Sequence, residues 1–213
     1  DLGEVVWIVD LNRQSLDRVV PNIAAGKFER LFEAAGWQVI TVRFGELLEQ
    51  LMNMPGGDSL RQRIISMSNQ EYQRLLRCGR AELRDRLPGD GPQSDIIRAL
   101  CADVDDDVLF AAIRNLGGHD FSALRAAYAQ IDDSRPTAII AYTVKGYGLP
   151  LEGHPQNHSS LLSAEQYADL AEKLGESPEK PWSRFGASTA AGLLCNAAAM
   201  RLLRPDLRTV PPP

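Results

Sequence analysis

The sequence predicts an α/β protein, a parallel sheet with helices on both faces. Three observations carry this expectation. The segments Glu4 to Val9 (EVVWIV), Trp37 to Phe44 (WQVITVRF) and Thr137 to Val144 (TAIIAYTV) are apolar and rich in β-branched residues. Such runs read as strands buried on both faces, as in parallel sheets. Stretches with helical spacing separate them, and strand, helix, strand in succession gives a βαβ unit.

The elements follow in order. After the first strand, Lys27 to Ala35 (KFERLFEAA) places apolar residues at helical spacing, and Gly36 is a natural stop. The second strand comes next. From Gly45 to about Asp133 the chain turns mostly helical, with helices expected over 47–52, 59–77, 81–87 and 108–114, broken by PGGD and PGDGP. Asp120 caps a helix from about Ser122 to Gln130. The third strand ends in the punctuated loop Lys145-Gly146-Tyr147-Gly148-Leu149-Pro150. Ser163, with Glu165-Gln166 close behind, caps a helix to about Leu174. Beyond Gly175 the chain becomes linker-like, with an Ala-rich helix near Ala187 to Leu203 and then RPDLRTVPPP. The expected organisation is therefore a domain over 1–175 and a linker with a helix over 176–213. A buried strand at the start and a proline run at the end suggest a piece of something larger.

Composition narrows the function classes. The chain has 213 residues, 44% apolar and 24% charged, as ordinary globular proteins do. A net charge of −5 supplies no basic stripe for phosphates, so no nucleic-acid partner is expected. No apolar run approaches the roughly 20 residues of a membrane-spanning helix. The opening DLGEVVWIVDLN has no basic stretch before an apolar core, so no signal peptide is expected. Cys78, Cys101 and Cys195 are far apart, which suggests reduced thiols in a cytoplasm and no metal-ligand spacing.

Three stretches carry candidate chemistry. Val9 to Asp17 (VDLNRQSLD) lies at the carboxyl end of the first strand, where ligands of open α/β sheets bind. Asn12 and Gln14 either present oxygens to a hard cation such as Mg²⁺ or hold a strand-to-loop turn. Beyond the third strand, Lys145 offers a positive charge to an anion, and His154 and His158 share the loop EGHPQNH. That loop either handles phosphate and protons or is merely solvated. The i,i+4 histidine spacing resembles a helical metal pair, but Pro155 argues against a helix there. In LGGHD, Gly117-Gly118 suit a tight turn, Asp120 a cap, and His119 a local hydrogen bond.

Taken together, these blocks resemble the thiamine-diphosphate-dependent, transketolase-like superfamily, and within it the pyruvate dehydrogenase decarboxylating components. DLNRQSLD is similar to an NCNLQRLD-type stretch, and FERLFEAAGWQVITVRFG to an LEGIFEGAGW-like run leading into a strand. NLGGHDFSALRAAYAQ is similar to a GGHD turn and helix, and TAIIAYTVKGYGL to the last strand and its KGYG loop. The blocks stand in family order over roughly 1–175.

The resemblance implies a partial thiamine-diphosphate-binding fold. It implies Asn12 as the side-chain Mg²⁺ ligand and Gln14 as a backbone-oxygen ligand, with the ion bridging to thiamine diphosphate. It makes Lys145 a cofactor-pocket lysine, Glu152 the start of a mobile loop counted with the cofactor site, and His158 a catalytic residue in substrate and acyl handling. It further implies a 2-oxo acid substrate such as pyruvate, a homodimer joined to the remaining domains, and acyl delivery to a lipoyl-bearing acyltransferase. Two departures stand out. After His158 the chain reads SSLLSAEQ, closer to a transketolase HGAPL-type turn, which keeps two-carbon transfer as an alternative. Gly89-Asp90-Gly91 spells the GDG of the cofactor fingerprint, with Asn115 downstream, but it follows a helix-like LRDRLP and is expected to be a surface turn. The fingerprint Asp and the catalytic glutamate are then expected outside the chain, which alone would be inactive. A non-catalytic partner subunit is the remaining alternative.

Overall fold

A computed structural model describes residues 4–16, 18–20 and 25–203. The tail RPDLRTVPPP, residues 204–213, lies outside the described residues. The chain divides into two compact units, 1–161 and 162–213.

The first unit is built on a parallel three-stranded sheet. Strands β1 (Val6–Leu11), β4 (Gln38–Val42) and β5 (Thr137–Tyr142) lie in the order β1-β5-β4. β5 is the centre, in register with both neighbours: Ile139 faces Ile8 on one side and Ile40 on the other. Every residue of β5 is buried, as its continuous apolar run requires. A two-residue hairpin, β2 (Gln14–Ser15) with β3 (Arg18–Val19), follows β1 directly.

Alternation along β5 sends successive side chains to opposite faces. Ile140 and Tyr142 join the larger core, against α1 (Ala25–Ala34) and a helical layer. Ile139 joins Ile40, Val42 and Ala127, the last on α8 (Phe121–Tyr128). Helices therefore cover both faces, as expected.

The helical layer comprises α2 (Glu46–Met52), α3 (Gly57–Ser66), α4 (Asn69–Arg77), α5 (Arg80–Arg86), α6 (Ser94–Ala102) and α7 (Asp106–Arg114). Its interior is fully buried leucine and isoleucine, including Leu48, Leu60, Ile64, Leu75, Leu83, Leu109 and Ile113. The single helix expected over 59–77 is two. Ser68 takes an extended conformation (φ −63°, ψ 154°) and accepts a hydrogen bond from the Glu71 amide, so it starts a new helix. α6 was not among the expected helices, although Ile97, Leu100 and Cys101 have helical spacing and are buried.

β1 corrects a second expectation. It is an edge strand with only β5 beside it, and Trp7 and Ile8 are 57% and 50% exposed instead of buried on both faces. Trp7 instead leans edge-on against Phe32 of α1 and against Trp37, at 5.7 and 6.1 Å between ring centroids.

The second unit holds α9 (Ala164–Lys173) and α10 (Ala190–Leu202). Ser163 and Gln166 form the expected reciprocal capping box of α9. Among the described residues no helix is long and apolar enough to cross a membrane.

Candidate functional site

The carboxyl ends of β1 and β5 lie side by side, since Leu11 pairs with Tyr142. Loops leaving the two ends are therefore neighbours before any side chain is considered. The loop after β1 is tight: Arg13 (φ 62°) and Leu16 (φ 53°) both take the left-handed conformation without being glycine. Each such residue costs on the order of 1 kcal/mol and persists only where surroundings fix it.

Asn12, half-buried, accepts a hydrogen bond from the Gln14 amide at 3.1 Å through Oδ1, and its Nδ2 reaches an Asp10 carboxylate oxygen at 3.4 Å. The first contact is the Asx turn that a bland reading anticipates. It leaves a lone pair on Oδ1, with the Asp10 carboxylate two residues away. Asp10 also accepts from the Thr143 hydroxyl of the facing loop.

The Gln14 side chain does not turn toward Asn12. Its Nε2 donates to the main-chain oxygens of His154 (3.1 Å) and Pro155 (3.2 Å), and lies 3.4 Å from Asn157 Oδ1. Its Oε1 is buried without a hydrogen-bond partner among the described residues. Lys145 makes a second tie, donating to the Leu16 carbonyl at 2.7 Å. The loop after β1 and the loop after β5 are thereby joined at two places.

Inside the second loop, Asn157 donates to the carbonyls of Lys145 (2.7 Å) and Leu151 (3.3 Å). Glu152 accepts from the Gly148 amide at 2.7 Å and pairs with Arg114 of α7 at 3.2 Å, with side chains 16% and 12% exposed. Burial lowers the Arg114 pKa, and Glu152 opposes that shift. The glutamate is thus an anchor of the loop to the helical layer. His154 accepts from the Gln156 amide at 3.1 Å through Nδ1. His158 is exposed in the turn at 155–159. No helix joins the two histidines, as Pro155 foretold.

The GGHD turn supports this site from below. A Cβ on Gly118 would stand 2.5 Å from Thr143 Cγ2, and one on Gly117 2.7 Å from the Val42 backbone, so only glycine fits there. His119 accepts from the Val144 amide at 2.7 Å through Nε2 and stacks on Tyr147 at 3.9 Å. Burial pushes its pKa down, which keeps the acceptor nitrogen unprotonated. It is the local hydrogen-bonding residue expected. Asp120 caps α8 through the Ala123 amide and also accepts from the Glu46 amide, both at 2.9 Å. Gly89-Asp90-Gly91 is a bend with Asp90 exposed, and Asn115 ends α7, so neither joins the site.

Sequence reasoning missed Asp10, Asn157 and Arg114. An Asp at a strand's carboxyl end, and an Asn in a Gly/Pro loop, are recognisable signals. Nothing local marks Arg114, whose partner lies 38 positions away.

The donors near Asn12 are oxygens: an amide, a carboxylate and main-chain carbonyls. Among the described residues no group of three or more His, Cys, Asp or Glu is gathered for a metal. Such a set suits a hard cation that keeps waters and phosphate oxygens in its shell, and does not suit zinc.

Residues 106–185 match the family described as transketolase, thiamine diphosphate binding domain. The chain is 32% identical over 152 residues to the pyruvate dehydrogenase E1 component of Escherichia coli, covering 70% of this chain and 17% of that protein. It is 32% identical over 172 residues to that of Haemophilus influenzae, covering 79% and 19%. For Corynebacterium glutamicum the identity is 30% over 164 residues, covering 74% and 17%. The chain thus spans under a fifth of the length of these relatives.

Proposed function

The chain is a relative of the pyruvate dehydrogenase E1 components within the transketolase-like, thiamine-diphosphate-dependent superfamily, and from that premise we propose that it binds the diphosphate end of the cofactor through Mg²⁺. In this proposal residues 1–175 form the C-terminal part of the diphosphate-binding domain, and 176–213 an interdomain linker with its helix. The observation that carries the reading is the double tie between the loops after β1 and β5, Gln14 to His154 and Lys145 to Leu16. It sets Asn12 and the His158 loop at one edge of the sheet.

Asn12 would give its side-chain oxygen to the ion, and Gln14 its backbone oxygen. Lys145 would add positive charge near the diphosphate, beside the carbonyl it already holds. Glu152, fixed by Arg114, would set where the 153–160 loop begins. His158 would trade protons with substrate. When bound, thiamine diphosphate supplies the electron sink for decarboxylating a 2-oxo acid such as pyruvate. The complete protein would act as a homodimer with its remaining domains, in the cytoplasm, and pass the acyl unit to a lipoyl-bearing acyltransferase.

Two-carbon transfer of the transketolase type is the second reading, favoured by SSLLSAEQ after His158. Assaying the complete protein with thiamine diphosphate and Mg²⁺ against pyruvate, and against ketose phosphates, separates them. CO₂ release from pyruvate is expected. Ketol transfer without CO₂ release would replace the first reading by the second, and neither activity would sink both.

A further inference from the structure

We infer that the cleft between the sheet's carboxyl edge and the α3–α4 junction is a binding site for a small phosphate-bearing molecule, separate from the Asn12 site. The cleft has a volume of about 390 Å³. That falls within the size of small-molecule sites. Among the described residues its lining includes Arg13, Arg43, Tyr142, Ser66, Ser68 and Asn69 but no carboxylate, and it includes none of Asn12, Gln14, Lys145 or His158.

Charge is the first argument. Arg13 lies just beyond β1 and Arg43 just beyond β4, with Tyr142 at the end of β5 between them. Three adjacent strand ends thus bring two guanidinium groups to one crevice, the place where open α/β sheets take ligands. Among the described residues neither arginine is in an ion pair, whereas nine other arginine–carboxylate contacts are formed. Glu29 of α1 is engaged by the Thr41 hydroxyl at 2.8 Å and does not line the cleft.

Orientation is the second argument. Tyr142 holds Arg43: Nη2 donates to its hydroxyl at 2.9 Å, and the guanidinium lies 4.8 Å from its ring. Arg13 lies 3.9 Å over the Tyr72 ring, and its Nη1 has no acceptor among the described residues. Aromatic faces keep a guanidinium charged and fixed without neutralising it. That leaves donors for a tetrahedral dianion, which planar forks bind in pairs. The first residues of α1, Ala25 and Gly26, and of α4, Asn69, also line the cleft. The start of α4 adds the positive potential of a helix N-terminus to what the arginines provide.

The test is binding of inorganic phosphate to the complete protein by calorimetry, with and without thiamine diphosphate and Mg²⁺. Saturable binding is expected in both conditions, weakening with ionic strength. Arg43→Gln should weaken it at least about tenfold, the size of a lost charge-assisted bond. Arg43→Lys should lose less, and Tyr142→Phe, which removes the hydroxyl that holds Arg43, should weaken binding by less than Arg43→Gln, while His158→Ala should stay within about threefold. Phosphate should raise the melting temperature of the wild type and not of Arg43→Gln, a comparison that holds even if the variant is less stable. No saturation below roughly 10 mM, beyond the weakest affinities of specific sites, would overturn the inference. So would equal affinity in Arg43→Gln, or loss of phosphate binding when thiamine diphosphate and Mg²⁺ are present.

Discussion

The side-chain amide of Gln14 donates at 3.1 Å to the main-chain carbonyl of His154, 140 residues further along the chain. Because the same nitrogen also reaches Pro155, one side chain holds the 154–157 segment to the loop after β1. A glutamine in that place is a fastener whatever its backbone oxygen does.

Gln14→Ala should therefore loosen the second loop and leave the sheet intact. Two carbonyls lose a protein donor in a half-buried setting, which costs about 1–3 kcal/mol. Urea unfolding should show a loss of that size, and limited proteolysis should cut within 150–160 faster than in the wild type. Unchanged cleavage would show that the loop is held by Lys145 and Glu152 alone.

Asp120 offers a pH test. Burial acts to raise its pKa, but hydrogen bonds from the Ala123 and Glu46 amides and the Asn115 side chain outweigh burial and hold it below the ordinary carboxylate range. A depressed carboxyl stabilises fully above its unfolded pKa and loses that contribution as pH falls through the folded one. Asp120→Ala should cost about 1–2 kcal/mol near neutrality, the upper end for a helix cap because two helices lose a partner. The difference from wild type should shrink under acid conditions. A constant difference from pH 7 to pH 3 would show that the charge is not what matters.

The sheet was legible because its three strands are contiguous apolar runs whose period is visible locally. Caps were legible where one residue type does one job, as at Asp120 and Ser163. The break at Ser68 was overlooked although S-N-Q-E is a capping pattern, since the helical spacing on either side reads through it. Burial of β1 could not be read, because Trp7 and Ile8 look the same whether or not a neighbour covers them. The candidate site was legible only as two loops at strand ends. That Gln14 reaches His154, and Glu152 reaches Arg114, was not, because no local pattern encodes pairing across 140 or 38 positions.

Asn12 separates a ligand from a turn residue. Its Oδ1 already holds the Gln14 amide, so Asn12→Ala removes an Asx turn as well as a potential ion contact. In the complete protein, Mg²⁺ and thiamine diphosphate affinities should fall together, by roughly tenfold or more for one lost ligand of a hard cation. Raising both should recover part of the rate. Asn12→Asp keeps an acceptor in place and should retain more affinity. If both substitutions lower stability but leave the two affinities alone, Asn12 is only a turn residue.

His158 and His154 make the last comparison, because they share one loop and differ in what holds them. His154 Nδ1 accepts from the Gln156 amide, and its carbonyl, which alanine retains, accepts from Gln14. Its imidazole thus serves the turn, and His154→Ala should stay within a few-fold of wild-type turnover. His158 is exposed in the same turn, and the proposed function gives it substrate and acyl handling. His158→Ala in the complete protein should lower turnover by roughly two to four orders of magnitude, the size of a lost acid–base group. Cofactor affinity should move far less than in Asn12→Ala, because a loop that closes over substrate does so after the cofactor is seated. Single-turnover decarboxylation and acyl transfer, measured separately, would show which step depends on the imidazole. Equal effects of the two alanines, or none from His158, would break the proposed match of this loop to a catalytic one.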